Sequence, residues 1–269
     1  MRNRLLGMVL MGLCVLFSCF AGAGDSVPVA APVREVRVAA AASMTHAMAE
    51  LVRQFQGKQP GIRITPVYGA SGSLYAQFAN KAPYDLFLSA DTEYPERLVK
   101  DGLGVSDSLF VYARGRLVLW AATNVLKGVT TLDLATLRDE RIRKIAIANP
   151  KLAPYGRAAE DAMKQAGVYE AVKAKLVFGE NVAQAATFAH TGAADVAVIP
   201  ASLAVAPAMM AKGRYAEVKL DGVKPIEQAA VLLTGAAQHE AARAFLGFLK
   251  SPDGVRILEA SGFACSGGK

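Results

Sequence analysis

Short apolar strands that run directly into helices recur along this chain, and this repeated unit constrains its fold more than any other feature. The first unit spans residues 36–45, where an alternating apolar strand ends in a run of alanines and Ser43. Apolar residues then follow at helical spacing, at Met44, Met48, Leu51, Val52 and Phe55. Ser43 stands immediately before this helical face, so the pattern predicts that its side chain caps the helix.

The same unit repeats in both halves of the chain. Further strands are predicted at 61–67, 85–91, 109–112, 117–121, 143–148, 175–178, 195–199 and 228–233, and closing helices at 240–250 and 252–261. Strands that alternate with helices are typical of a mainly parallel sheet covered on both faces. Residues 114–116 separate two apolar strands and predict a crossing between lobes. We therefore expect an α/β fold with two doubly wound lobes, formed by 35–114 plus 228–269 and by 115–227.

The first 23 residues have the pattern of a secretory signal peptide. Basic residues precede an apolar run at 5–20, and the small residues 21–23 form a cleavage site. The run is too short to be a convincing membrane span. In an alternative interpretation, residues 16–19 are a lipoprotein signal and Cys19 becomes a lipidated N-terminus. Either way the mature chain is predicted to be exported to the periplasm, with residues 24–34 as a flexible leader.

Removal of the signal peptide also changes the cysteine count and the charge. Cys14 and Cys19 are lost and Cys265 is the remaining thiol, so no intrachain disulfide is expected. The loss of two arginines lowers the formal net charge from +7 to about +5. The remaining basic residues are scattered, without an arginine-rich run or interleaved aromatic residues. This pattern argues against nucleic acid as a partner.

The strand-to-helix turns favour the binding of an anion. A helix start leaves about four backbone N–H groups unpaired and carries roughly half a positive charge. Alanines before Ser43 would let a ligand approach the backbone, and Ser71 stands at a second turn of this kind, with further turns in the second half of the chain. Structural capping alone would also explain these serines. From the residues alone, we expect an exported receptor for an anion or a small polar ligand.

Part of the sequence also resembles a catalytic motif. Residues 69–73 resemble a nucleophile elbow, but serine stands where the final glycine should be. His46 follows Ser43 by one helical turn, so a secreted serine hydrolase acting through Ser71 or Ser43 stays open as a minor alternative. The sequence contains no Walker loop, CxxC motif or HExxH motif. The chain is therefore predicted not to be an enzyme and to need no cofactor.

Three stretches carry a family resemblance, at residues 38–48, 69–74 and 83–91, and the third includes Asp-Leu-Phe-Leu-Ser-Ala-Asp at 85–91. Together they resemble the periplasmic molybdate-binding proteins of ABC importers, and the likeness extends over about 35–263. The resemblance implies the type II periplasmic binding protein fold, with a ligand cleft between two lobes joined by a two-stranded hinge. It also implies a monomer that binds molybdate or tungstate and delivers the anion to a membrane permease with its ATPase.

The resemblance further implies which residues hold the anion. Ser43 and Ser71 would each give a hydroxyl and a backbone N–H from the first lobe. Tyr155 and Val182 would each give a backbone N–H from the second lobe, and Ala41 would line the pocket with its backbone. All these donors are neutral, so selectivity over sulfate would depend on the size of the cavity.

One position departs from the family pattern. Many members have a tyrosine after the strand that ends at Ile199, and its hydroxyl binds the anion, whereas this chain has Pro200. The phenol of Tyr155 is a candidate replacement donor, although Tyr155 could instead be a rim residue that closes the cleft. Pro200 therefore leaves another tetrahedral oxyanion, such as sulfate, or a small organic ligand as the alternative.

Overall fold

Ten strands of the described residues form two five-stranded sheets, which confirms the α/β prediction. The computed structural model describes residues 33–125, 127, 131–219, 222–236 and 238–265, all within the unit Pro32–Lys269. The predicted signal peptide at 1–23 lies outside the described residues, as do Cys14, Cys19 and most of the leader at 24–34. Val33 and Arg34 are described, and Arg34 already begins the first strand.

The first sheet has the strand order β2-β1-β3-β10-β4. Its strands are β1 (Arg34–Ala41), β2 (Ile62–Gly69), β3 (Leu86–Leu88), β4 (Phe110–Gly115) and β10 (Ile226–Leu232). β1 pairs in parallel with β2 and β3, whereas β10 is antiparallel to β3 and β4. The helices of this part of the chain are α1 (Thr45–Lys58), α2 (Ser71–Ala79), α3 (Glu93–Lys100), α9 (His239–Lys250) and α10 (Pro252–Ala260).

The second sheet has the strand order β7-β6-β8-β5-β9. Its strands are β5 (Leu117–Ala122), β6 (Ile145–Ala148), β7 (Leu176–Gly179), β8 (Val196–Pro200) and β9 (Gly213–Glu217). β6 pairs in parallel with β7 and β8, and β5 is antiparallel to β8 and β9. Its helices are α4 (Pro154–Gln165), α5 (Tyr169–Val172), α6 (Val182–Thr191), α7 (Ala201–Ala204) and α8 (Pro207–Lys212).

The chain crosses between the sheets twice. The first crossing is at Arg116, because Gly115 ends β4 in the first sheet and Leu117 begins β5 in the second. The return is between β9 and β10, and Ile226 at the start of β10 pairs with Gly115. Each sheet thus combines parallel strands with antiparallel strands at the side where the chain crosses. The lobe boundaries at 114/115 and 227/228 stay predictions.

Each sheet has its own buried apolar core. One face of the first sheet packs against α1, α9 and α10, and the predicted apolar face of α1 is buried there at Met48, Leu51 and Phe55. The opposite face packs against α2 and α3 through Leu74, Phe78 and Leu98, among others. The second sheet is built around the fully buried Trp120. Two rigid layered units of this kind can hold loops at their strand ends in fixed positions.

Besides the short 3₁₀ turns, four elements were not predicted from the sequence. One of them is α5, a four-residue helix between α4 and β7. β9 is an edge strand that reads Gly-Arg-Tyr-Ala-Glu and is only half-buried, so it lacks the apolar run of a central strand. α7 and α8 are short helices that follow β8. Within the part of the chain that the structure describes, no helix is both long enough and apolar enough to span a membrane.

Candidate functional site

A small pocket lies where four strand-to-helix turns meet, two from each sheet. Its empty volume, which includes space open to solvent, is about 200 Å³. Its lining includes all five residues proposed from the sequence, and the described residues that line it are Ala41, Ala42, Ser43, Gly69, Ala70, Ser71, Ala90, Ala153, Pro154, Tyr155, Asn181 and Val182. The structure therefore brings the five residues together, and their binding of an anion stays a prediction.

Ser43 lies in the pocket but does not cap its helix, so that sequence prediction was wrong. α1 begins at Thr45, and Ser43 is in a short 3₁₀ turn, Ala42–Met44, that precedes it. The side chain is fully buried, and its Oγ lies 3.4 Å from Oε1 of Gln228. This long hydrogen bond is weak by geometry. The hydroxyl can therefore turn towards a better acceptor in the pocket at small cost.

Ser71 is the first residue of α2 and is 1% exposed. Its Oγ accepts a hydrogen bond of 3.0 Å from the backbone N–H of Ala90. Within the described residues, neither the hydroxyl proton nor the backbone N–H of Ser71 has a protein acceptor. Buried donors without partners are costly. Both groups are consequently available to a ligand in the pocket.

Tyr155 contributes from the first turn of α4, where Pro154 occupies the first helical position. The turn packs closely on β6, because a Cβ at Gly156 would lie 2.3 Å from the carbonyl oxygen of Ala148. In the described part of the chain the backbone N–H of Tyr155 has no acceptor. The phenol points towards β4 and β10 of the first sheet, where its hydroxyl accepts a 2.8 Å hydrogen bond from Nε2 of Gln228. Burial raises the pKa of this hydroxyl, which keeps it neutral.

Val182 is the first residue of α6, whose N-cap is Asn181. The Asn181 side chain accepts hydrogen bonds from the N–H groups of Ala183 (2.9 Å) and Gln184 (3.1 Å). The cap thus satisfies the N–H groups at the second and third helical positions. The N–H of Val182, at the first position, has no acceptor among the residues described. Ala41 ends β1 on the opposite side and lines the pocket there.

The pocket is electrostatically positive although none of its described lining residues carries a charge. Three helices of nine to twelve residues begin there, and the 3₁₀ turn before α1 is the fourth helical start. Each helix start contributes roughly half a positive charge from aligned peptide dipoles. Such a site favours an anion that accepts hydrogen bonds from several directions.

The two sheets touch directly around the pocket. The N–H of Gly72 in α2 donates a 2.9 Å hydrogen bond to the carbonyl oxygen of Leu152, which precedes α4. Beside it, Arg157 of α4 forms a 2.6 Å ion pair with Asp91, which follows β3. Burial raises the pKa of Asp91, while hydrogen bonds and the charge of Arg157 oppose that rise. These contacts join the two sheets beside the pocket.

Pro200 and the histidines lie elsewhere. Pro200 ends β8 opposite Leu117 and is absent from the described pocket lining. His46 is exposed, and in the described residues no histidine is hydrogen-bonded to Ser43 or Ser71. The described residues also contain no group of three His, Cys, Asp or Glu side chains placed to hold a metal ion.

Three polar residues around the pocket were not proposed from the sequence. Gln228 and Tyr112 form a fully buried hydrogen-bonded group with the phenol of Tyr155. Ser202 donates a 2.8 Å hydrogen bond to the carbonyl oxygen of Ser43. The sequence did contain one indication of Gln228, which is a glutamine at the start of the apolar stretch 228–233. An amide in a buried strand almost always has hydrogen-bond partners, so its position pointed to a polar contact there.

Comparison with known proteins agrees with this arrangement. The chain matches the family of bacterial extracellular solute-binding proteins over residues 36–264. It is 38% identical over 234 residues to the molybdate-binding protein ModA of Azotobacter vinelandii, covering 87% of this chain and 91% of that protein. It is 39% identical over 240 residues to ModA of Rhodobacter capsulatus, with coverage of 89% and 91%.

A solved structure supports the same relationship. The periplasmic molybdate-binding protein of Azotobacter vinelandii aligns with a TM-score of 0.78 and 32% identity, over 85% of this chain and 98% of that one. This likeness confirms the predicted periplasmic binding protein fold. The chain therefore belongs to the bacterial extracellular solute-binding proteins, a family of extracytoplasmic receptors, and within them to the group that includes these two molybdate-binding proteins.

Proposed function

We propose that this protein is a receptor that binds molybdate, and also tungstate, in the pocket between the four turns and delivers it to an ABC importer. The observation that carries the proposal is the convergence of four helical starts and two serine hydroxyls on a cavity without a charged side chain among its described lining residues. The names of the relatives point to the same ligand. The binding groups are the hydroxyls and backbone N–H groups of Ser43 and Ser71 and the backbone N–H groups of Tyr155 and Val182, with the backbone of Ala41 lining the pocket.

The donor set favours a fully deprotonated anion. Every group assigned to the ligand is a hydrogen-bond donor, and the Asn181 side-chain oxygen already accepts two helix N–H groups. Phosphate near neutral pH retains a proton, which would need an acceptor in this pocket. An unpaired buried hydrogen-bonding group costs about 1–3 kcal/mol. Phosphate is therefore expected to bind poorly. Sulfate is smaller than molybdate, so we expect the size of the cavity to discriminate between these two anions.

Capture requires movement of the lobes but no chemical step. The anion bridges donors from both sheets, so it contacts the closed state more extensively than the open one. Its binding energy therefore shifts the population towards closure. The closed protein then docks as a monomer on a membrane permease with a cytoplasmic ATPase. Neither catalysis nor a cofactor is part of this proposal.

The location proposed is the periplasm, after export by the N-terminal signal and cleavage that follows Ala23. This position suits a receptor that passes its ligand to a membrane permease. Lipidation at Cys19 is the alternative, and the mass of the mature N-terminal peptide distinguishes the two.

The direct test is anion binding by the purified, ligand-stripped protein. Molybdate, tungstate, sulfate and phosphate are added separately, and thermal unfolding and isothermal titration calorimetry are recorded. An anion at about 100 times its Kd should stabilise the protein by about 2.7 kcal/mol, or several degrees. We expect this shift with molybdate and tungstate alone. A shift with sulfate only, or with none of the four, would contradict the proposal and favour the alternative ligands that Pro200 left open.

The two serines provide a prediction within the same assay. Ser43→Ala and Ser71→Ala are each expected to weaken molybdate binding about ten- to a hundredfold, because each removes a hydrogen bond to a charged ligand. Ser106→Ala is the matched control, since this exposed serine lies in a turn remote from the pocket lining. Parent-like affinity in both pocket variants would remove the serines from the anion site.

A further inference from the structure

Gln228 is a fully buried polar side chain in β10, the strand by which the chain returns to the first sheet. The pairing of β10 with β4 is irregular at this point. Gln228 lies opposite Ala113 and Ala229 lies opposite Val111, so Tyr112 is an extra residue in β4. Bulges of this kind redirect side chains and are common beside functional sites. Here the irregularity lies where the Gln228 amide and the Tyr112 phenol meet.

Both ends of the Gln228 amide are hydrogen-bonded, and to different lobes. Oε1 accepts a 2.8 Å hydrogen bond from Tyr112 and a 3.4 Å hydrogen bond from Ser43, both in the first lobe. Nε2 donates a 2.8 Å hydrogen bond to the hydroxyl of Tyr155, in the second lobe. Gln228 is absent from the described lining of the pocket. It nevertheless contacts one anion-binding residue from each side.

Gly115 provides the space for this contact. A Cβ at Gly115 would lie 2.0 Å from the hydroxyl oxygen of Tyr155 and 3.0 Å from Nε2 of Gln228. Gly115 is not among the glycines with positive φ, so its backbone does not itself require glycine. The Tyr155 phenol can therefore reach β4 and β10 because Gly115 has no side chain.

This contact positions the α4 end of the pocket. Tyr155 carries both the phenol that bonds to Gln228 and the backbone N–H assigned to the anion. Holding the phenol against β10 therefore fixes where that N–H points. Gln228 is itself anchored in β10 of the first sheet, so its amide ties the position of Tyr155 to the first lobe.

We propose that Gln228 is a positioning residue that links the anion donors of the two lobes, so that closure and anion binding depend on the Gln228–Tyr155 hydrogen bond. The inference rests on the proposed function. It deepens that proposal by assigning a role to a residue that does not touch the anion.

A double-mutant cycle tests the link. Molybdate affinity is measured by calorimetry for the parent, Gln228→Met, Tyr155→Phe and the double variant. Methionine keeps the unbranched shape of glutamine and removes the amide. Each single change should lower the molybdate affinity roughly tenfold. The double variant should bind as tightly as the single variant with the lower affinity, because both changes break the same hydrogen bond. Additive losses would overturn the inference.

Tyr112→Phe is the matched control. It removes the other short hydrogen bond to Gln228 but keeps the link between lobes, so affinity should stay within about threefold of the parent. If Tyr112→Phe loses as much molybdate affinity as Tyr155→Phe, the Gln228–Tyr155 hydrogen bond has no special role and the proposal is contradicted. Dissociation rates should rise in Gln228→Met while association rates stay near the parent value. A merely structural role would instead lower the melting temperature of the ligand-free protein without raising the dissociation rate.

Gly115→Ala tests the same contact without removing any polar group. The new Cβ must displace the Tyr155 phenol, so we expect an affinity loss similar to that of Tyr155→Phe. Gly57→Ala is the control, because a Cβ there meets nothing within 4 Å. Parent-like affinity in Gly115→Ala would contradict the inference. If the parent binds none of the four anions, the proposed function fails and this inference fails with it; if the parent binds and the cycle is additive, only the inference fails.

Discussion

Replacement of Ser71 by aspartate is expected to abolish anion binding and to raise the melting temperature of the ligand-free protein. The two effects share one cause. A carboxylate at the first position of α2 would lie among the helical starts that form the pocket, where it satisfies donors and interacts favourably with the helix dipole. The gain is about 0.3–1 kcal/mol, which corresponds to a rise of a few degrees at most for a chain of this length.

The same carboxylate repels a divalent oxyanion in the pocket. Two unit charges 4 Å apart repel by about 4 kcal/mol at an effective dielectric constant of 20, and a dianion doubles the term. Molybdate affinity should therefore fall more than a thousandfold. Calorimetry and thermal unfolding with and without molybdate measure both effects.

Ser71→Asn is the matched control, because asparagine has nearly the shape of aspartate without its charge. We expect Ser71→Asn to lose affinity through the missing hydroxyl yet to keep a measurable shift with molybdate. Equal losses in the two variants would mean that size rather than charge excludes the anion. A Ser71→Asp protein with the parent's molybdate-induced shift would place the ligand outside this pocket.

Much of the fold could be predicted because its central strands are buried on both faces. The strand predictions at 85–91, 143–148 and 195–199 fall within a few residues of β3, β6 and β8. Such strands need continuous apolar residues, and this signal is local. β9 escaped prediction because it is a half-exposed edge strand whose pairing with β5 is fixed by tertiary contacts.

The candidate site was predicted at the level of residues but not of geometry. Resemblance and turn chemistry identified Ser43 and Ser71, yet the sequence could not show that a 3₁₀ turn intervenes between Ser43 and α1. A serine that precedes apolar residues at helical spacing gives the same sequence pattern whether its side chain caps the helix or points into a pocket. Gln228 was missed for a different reason. Its partners are 73 and 116 positions away, and only the folded chain brings them together.

Replacement of Gly72 by alanine is expected to weaken molybdate binding more than tenfold by obstructing closure. Gly72 lies in the first turn of α2, where its N–H reaches the carbonyl oxygen of Leu152 in the second lobe. A Cβ at this position would lie 2.9 Å from that oxygen and 2.5 Å from the hydroxyl oxygen of Tyr94. The tyrosine can turn away, but the carbonyl belongs to the backbone that leads into α4. The closed state would therefore be strained, while the open state would gain from the higher helix propensity of alanine, by up to about 1 kcal/mol.

The control is Gly247→Ala in α9, which makes the same change within a helix at a place where a Cβ meets nothing within 4 Å. Both variants should fold, because the contact with the Leu152 carbonyl arises only when the lobes meet, and the Tyr94 side chain can move to relieve the contact within the first lobe. Gly72→Ala should show a faster dissociation rate and a smaller decrease in radius of gyration on adding molybdate, measured by small-angle X-ray scattering. Gly247→Ala should match the parent in both. If Gly72→Ala instead binds and compacts like the parent, the Gly72–Leu152 contact does not limit closure, and the anion is held without the tight approach of the lobes described here.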